Sequence, residues 1–185
     1  MARSEKLLNH EACLLLVVDI QEAFAPHIQE MERLVQRTGI LIEAAKLLQV
    51  PVLATEQYPK GLGRTVEPIR QALGLTPCHE KLCFSCLGEE EIRGAITLSG
   101  RRQVLLAGIE THVCIAQTAL DLLALGLQPY VAADAVSSRR PLDHQIALHR
   151  LRQAGVTVTT SEAAILEMTA ASRHPAFREI SRLIK

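Results

Sequence analysis

Cys13-Leu14-Leu15-Leu16-Val17-Val18-Asp19 is an unbroken apolar run closed by a carboxylate. A strand with one wet face alternates apolar and polar side chains, whereas a continuous apolar run belongs to a strand covered on both faces. Four more runs have the same character: Pro51 to Thr55, Gln103 to Gly108, Pro129 to Ala133 and Val156 to Thr159. Between them lie Glu30 to Leu48, Thr65 to Leu73, Glu89 to Leu98, Val113 to Leu125 and Pro141 to Ala154, each with apolar residues three and four apart, the spacing of a helix. A weaker sixth strand is read near Cys78 to Leu82, and Pro175 to Ile184 reads as a closing helix. Strands alternating with helices predict an α/β fold of three α-β-α layers, Rossmann-like, around a mostly parallel sheet of about six strands.

No stretch of 1–185 reads as a linker or repeats at a fixed period, so one domain is expected. Lys and Arg number 20 against 20 Asp and Glu, and Trp is absent, which argues against nucleic acid and anionic membranes as partners. Hydrophobic residues make up 48%, yet no apolar run nears the roughly 20 residues that span a bilayer. The start, MARSEKLLNHEA, has no apolar leader core. A cytoplasmic protein acting on a small molecule is expected. Five scattered cysteines fit free thiols better than a disulfide framework.

In open parallel sheets ligands bind beyond the carboxyl ends of the strands, so the polar residues ending apolar runs draw attention. Asp19 is one, and it reads equally as a functional carboxylate or a loop-fixing cap through Gln21 and Glu22. Gly108-Ile109-Glu110-Thr111-His112-Val113-Cys114 carries a later strand into a helix. Cys114 near a helix start suits a thiolate, although free cysteines are often buried as small hydrophobes. Lys81, in His79-Glu80-Lys81-Leu82-Cys83, reads by itself as a surface lysine.

The apolar strand ending Asp19-Ile20-Gln21, with Phe24 beyond it, then Lys81, then Gly108-Ile109-Glu110-Thr111-His112-Val113-Cys114, resembles the isochorismatase-like hydrolases across nearly the whole chain. The segment Glu56-Gln57-Tyr58-Pro59 and the following Gly61-Leu62-Gly63 are similar to the isochorismatase-domain proteins of unassigned substrate. The resemblance implies Cys114 as nucleophile, Asp19 as general base and Lys81 as the cation stabilising both anions. It implies a cis Ile109–Glu110 peptide, with the N–H groups of Glu110 and Cys114 forming an oxyanion hole. Phe24, Gln57, Tyr58 and His112 are candidate substrate contacts, with core packing the other reading of Phe24 and a solvent-facing or hydrogen-bonded role that of His112. No cofactor or metal is implied: nicotinamidases of the family carry an Asp-x-His metal site after the second strand, where this chain has Ala54-Thr55-Glu56-Gln57. Isochorismatases proper lack the cysteine, so the resemblance favours acyl transfer to Cys114 over vinyl-ether cleavage. The family also implies a homo-oligomer.

A thiolate beside Lys81 at a helix start is expected to have its pKa lowered into the activated range of roughly 3.5–7.5. Two rival functions stay open. Cys83-Phe84-Ser85-Cys86 with Cys78 and His79 offers a zinc or redox module, and a catalytically silent interaction protein has the same fold. Gly61-Leu62-Gly63-Arg64 lacks the full phosphate-binding pattern and reads as a flexible loop.

Overall fold

A computed structural model describes residues 3–185. Met1 and Ala2, the first residues of the segment read as lacking a leader core, lie outside them. The elements run β1 (Cys13–Val18), α1 (Met31–Leu47), β2 (Val52–Gln57), α2 (Pro59–Leu62), α3 (Glu67–Leu73), β3 (Cys78–Lys81), α4 (Glu90–Leu98), β4 (Gln103–Ile109), α5 (Ala116–Ala124), β5 (Gln128–Ser137), α6 (Pro141–Gln153), β6 (Thr157–Thr159), α7 (Ser161–Thr169) and α8 (Phe177–Leu183). The strands form one sheet in the order β3-β2-β1-β4-β5-β6, with every neighbouring pair parallel.

β1 lies within the sheet, and its side chains are divided strictly by the two-residue strand period. Cys13, Leu15 and Val17 join the core under α1, α3, α7 and α8, while Leu14, Leu16 and Val18 join the core under α4, α5 and α6. Both faces of the run are therefore buried, each fully covered leucine contributing about 2 kcal/mol by removal from water. The chain leaves β3 at one edge and returns as β4 beside β1. The connections reverse direction across that pair, and the crevice at their carboxyl ends is the expected ligand site.

The backbone is tight there. Gly108 has φ 122°, and a Cβ on it would stand 2.0 Å from the Val18 carbonyl oxygen, so glycine alone permits this approach of β4 to β1. The register of β4 against β5 also shifts between Leu106 and Gly108, lengthening β5 relative to its partner.

Three features depart from the sequence reading. β5 continues to Ser137 instead of stopping at Ala133. Ser161–Thr169 is an unanticipated helix whose start is held by Asp134, which accepts from Ser161 N at 2.7 Å and Ser161 Oγ at 2.6 Å. Gly61 and Leu62, read as the start of a flexible loop, instead close a short helical turn, Pro59–Leu62, opened by proline. No helix among the described residues is long and apolar enough to cross a membrane.

Candidate active site

The ends of four adjacent strands, β3, β2, β1 and β4, converge. Asp19 follows β1 in the left-handed backbone region at φ 53°, which an Asp side chain tolerates better than most. Its carboxylate is buried and accepts from Thr55 Oγ1 of β2 at 2.8 Å. No helix starts within reach of Asp19, since α1 begins at Met31, so the capping role has no helix to serve.

Lys81 ends β3 and is wholly buried, which corrects the surface-lysine reading. Its Nζ lies 2.7 Å from Asp19 Oδ2 and 3.6 Å from Cys114 Sγ. It donates to Gln57 Oε1 at 2.6 Å and approaches the carbonyls of Cys83 and Phe84, each at 3.1 Å. Glu89 shapes the loop supplying those carbonyls, accepting from Leu82 N at 2.8 Å and Cys83 N at 3.0 Å. A buried ammonium is tolerable only when so surrounded.

Cys114 sits in the π-helical turn Thr111–Ile115 that joins β4 to α5. π-helical turns recur at functional sites because the extra residue re-aims side chains. Asp19 is also near enough for its charge to act on the Cys114 thiol. Burial first, then the Asp19 charge, push its pKa up to about 12, while Lys81 acts in the opposite direction. The expected lowered pKa is thus overturned for the unliganded protein: Lys81 is already paired with Asp19, and the closed site disfavours a second anion. Burial also raises the Asp19 carboxyl, against the pull of Lys81. For Lys81 itself burial lowers the ammonium pKa, but Asp19, Cys114 and Cys86 outweigh it and the net direction is upward.

The Ile109–Glu110 peptide is cis. The Glu110 carbonyl accepts from Val113 N at 3.0 Å and Ile115 N at 3.2 Å, and its buried carboxylate accepts from Arg139 N and Nε. His112 Nδ1 stands 3.0 Å from Ser138 Oγ, tying the Cys114 turn to the same β5–α6 loop.

Gln57 was a candidate substrate contact, but its amide is already engaged: Oε1 accepts from Lys81, and Nε2 donates to the Leu82 carbonyl at 2.8 Å. Gln21 holds the Gln57 backbone in turn, its Oε1 accepting from Gln57 N at 2.7 Å and its Nε2 donating to Gln57 O at 3.0 Å. Phe24 is half-buried against the α1-side core, while Tyr58 is exposed and donates its N–H to Lys81 O at 2.9 Å. A cavity of about 530 Å³ on the far flank is lined by Glu56, Arg64, Arg70 and Glu80, away from Cys114; one of about 220 Å³ borders His112 and α6. The proximity of Lys81 to both Asp19 and Cys114 outranks cavity size as a sign of chemistry.

The Cys-x-x-C rival is not assembled. Cys83 is exposed, Cys86 is buried with its N–H on Thr118 Oγ1, Cys78 Sγ stands 3.5 Å from Thr65 Oγ1, and His79 pairs with Glu91. Among the described residues no three His, Cys, Asp or Glu side chains are grouped to hold a metal.

Sheet order, helical layers and the strand-end cluster define a Rossmann-like α/β protein of the isochorismatase fold. The isochorismatase domain model matches residues 13–163, and the chain belongs to that family. It is 45% identical to isochorismatase domain-containing protein 2A of Mus musculus over 177 residues, covering 95% of this chain and 84% of the relative. The solved structure named MAR1 ribonuclease from Caenorhabditis elegans is 42% identical with a TM-score of 0.91, over 96% of this chain and 92% of that one. The ycaC gene product of Escherichia coli, described as an octameric hydrolase of unknown specificity, is 21% identical with a TM-score of 0.87, over 98% and 97%. Family membership supports a hydrolase-type function.

Proposed function

We propose that the protein hydrolyses a C–N bond in a small amide, or a related acyl bond, through a thioester on Cys114. The observation that carries this reading is Lys81 Nζ, 2.7 Å from Asp19 Oδ2 and 3.6 Å from Cys114 Sγ in one buried cluster. Oδ2 touches Lys81 but has no aligned hydrogen bond, leaving it able to accept a proton.

Asp19 takes the Cys114 proton as sulfur attacks the carbonyl carbon, and Lys81 offsets the charge on whichever partner is anionic. The tetrahedral oxyanion is held by the Glu110 and Cys114 N–H groups. On its collapse the C–N bond breaks and Asp19 returns the proton to the leaving amine. Asp19 then deprotonates water, which attacks the thioester; the acid departs and Cys114 regains a proton. A thiol of raised pKa suits this sequence, because its proton leaves in concert with attack on bound substrate.

The test is an amide and ester screen of wild type beside Cys114→Ala, with covalent adducts sought by mass spectrometry. Turnover that survives in Cys114→Ala would sink the reading. Because the nematode neighbour is named a ribonuclease, a single-stranded RNA oligonucleotide belongs in the screen; Cys114-dependent cleavage of it, without amide turnover, would replace the amide assignment. Balanced charge and the lack of Trp weigh against RNA. We also read the protein as a cytoplasmic homo-oligomer; the octameric Escherichia coli neighbour supports the assembly, and light scattering tests it.

A further inference from the structure

We propose that the cavity at the β2–β3 edge of the sheet is a second binding site, separate from the Cys114 cluster. Its ligand is a small amino-acid-like zwitterion, with an ammonium group seated on Glu56 and a carboxylate at the other end. The inference stands apart from the cysteine-hydrolase reading.

Strand period sets this cavity and the Cys114 cluster on opposite faces of β2. Thr55 and Gln57 turn their side chains to Asp19 and Lys81, so Glu56 between them faces the other way, the side of Ala54, α1 and α3. The parallel register puts Glu80 beside Glu56 and Cys78 beside Ala54, so these β3 residues share that face. Glu56, Cys78 and Glu80 all line the cavity, whose volume of about 530 Å³ is typical of small-molecule sites.

Glu56 carries the proposal. It is 9% exposed, and its Oε1 accepts from Thr65 N at 2.6 Å and Thr65 Oγ1 at 2.8 Å. Its Oε2 accepts no hydrogen bond, and its carboxylate is in no ion pair, among the described residues. The buried acids Asp19 and Glu110, by contrast, are paired with Lys81 and Arg139. A buried charge is costly without a counter-charge, and this one belongs to a cavity wall with a second carboxylate, Glu80, alongside. The group that completes it is a cation. No three His, Cys, Asp or Glu side chains converge there among the described residues, so a divalent ion would lack ligands, whereas an ammonium has only three protons to satisfy.

The rim decides what else the ligand bears. Lys60, Arg64 and Arg70 also line the cavity. Arg70 is committed to Glu67, while Lys60 and Arg64 are exposed and in no ion pair among the described residues. These cations would repel a plain amine but complement the carboxylate of a zwitterion.

Isothermal titration calorimetry on the full chain tests the site with glycine, β-alanine and γ-aminobutyrate, each beside the amine and the carboxylic acid of matching chain length. At least one zwitterion should bind with a Kd below about 10 mM, and about tenfold tighter than its matched amine and acid. Glu56→Gln keeps an oxygen for both Thr65 donors yet removes the charge, and should weaken that zwitterion about tenfold. Should Glu56→Gln fail to fold, Glu80→Gln at its exposed position carries the same test with a loss of about threefold. Replacing Lys60 and Arg64 together by Ala should bring the zwitterion level with its amine, and Cys114→Ala should bind as wild type does. No binding across the series overturns the proposal, as does a zwitterion no tighter than its amine or an affinity untouched by the Glu56 and Glu80 variants. Loss of binding in Cys114→Ala would place the ligand at the Asp19, Lys81 and Cys114 cluster and overturn it too.

Discussion

Gln57 Oε1 accepts a 2.6 Å hydrogen bond from Lys81 Nζ, and the Gln57 backbone is itself clamped at both N–H and C=O by the buried amide of Gln21. The ammonium that faces Asp19 and Cys114 is thus held from behind by a glutamine pair. Gln57→Leu strands that Lys81 proton in a dry site, a loss of about 1–3 kcal/mol. We expect slower Cys114 alkylation and a lower kcat with little change in KM, whereas Gln57→Glu should partly restore Cys114 reactivity by keeping the acceptor. A variant whose KM rises alone would return Gln57 to the role of substrate contact.

Lys81 and Asp19 should separate by experiment. Lys81→Met leaves Asp19 buried without its ion pair and should destabilise the fold by about 3–5 kcal/mol. It should also slow Cys114 alkylation, since the one nearby charge that lowers the thiol pKa is gone. Asp19→Asn removes a charge that raises that pKa, so labelling should quicken while turnover collapses for want of a proton acceptor. Iodoacetamide pH profiles of the three proteins, read beside urea unfolding, check the pair; identical shifts in both variants would contradict it.

Much of this was legible in the chain, for reasons that differ by residue. The apolar run 13–18 announced a doubly buried strand because both of its faces meet helices. Asp19 stands out by ending that run; Thr55 ends another and binds Asp19 directly, but an uncharged threonine at a strand end carries no comparable signal. Lys81 and Cys114 gained weight only through the family resemblance, since neither long-range contact nor burial of a lone lysine is written in local pattern. The apolar run Pro129 to Ala133 stops before Asp134, which reads as the end of β5. The strand in fact runs on past a carboxylate that is occupied with Ser161, and the helix that Asp134 anchors went unseen with it. The net direction of the thiol pKa shift is not legible in the chain, because sequence shows neighbours, not desolvation.

Gly108 offers a steric test of how β4 meets β1. Gly108→Ala places a methyl 2.0 Å from the Val18 carbonyl oxygen in a backbone conformation unfavourable to alanine. Overpacking of this kind costs roughly 1–3 kcal/mol, with the positive φ adding to it. Because Val18 precedes Asp19, the displacement should reach the carboxylate, and activity should fall more than thermal stability alone explains. An Ala variant with wild-type melting temperature and turnover would show that the strands separate freely.

Alkaline pH should weaken the fold through its buried thiols. Burial pushes Cys13 and Cys114 up to about 12 and Cys86 to about 11, from the ordinary thiol value of 9.0. In each case the folded state holds its proton more tightly than the unfolded chain does. The stabilisation is therefore complete below pH 9.0 and is lost as the pH rises towards the folded values. Between those limits each thiol contributes a slope of at most about 1.4 kcal/mol per pH unit, with the unfolded chain shedding its protons first. Cys13 lies in the opposite core layer from Cys114, so it reports on stability alone. Urea unfolding of wild type and Cys13→Ala at pH 8, 9, 10 and 11 should show Cys13→Ala less stable at pH 8 but with a shallower decline above pH 9. Parallel declines would mean that Cys13 is not the tightly protonated group that its burial indicates.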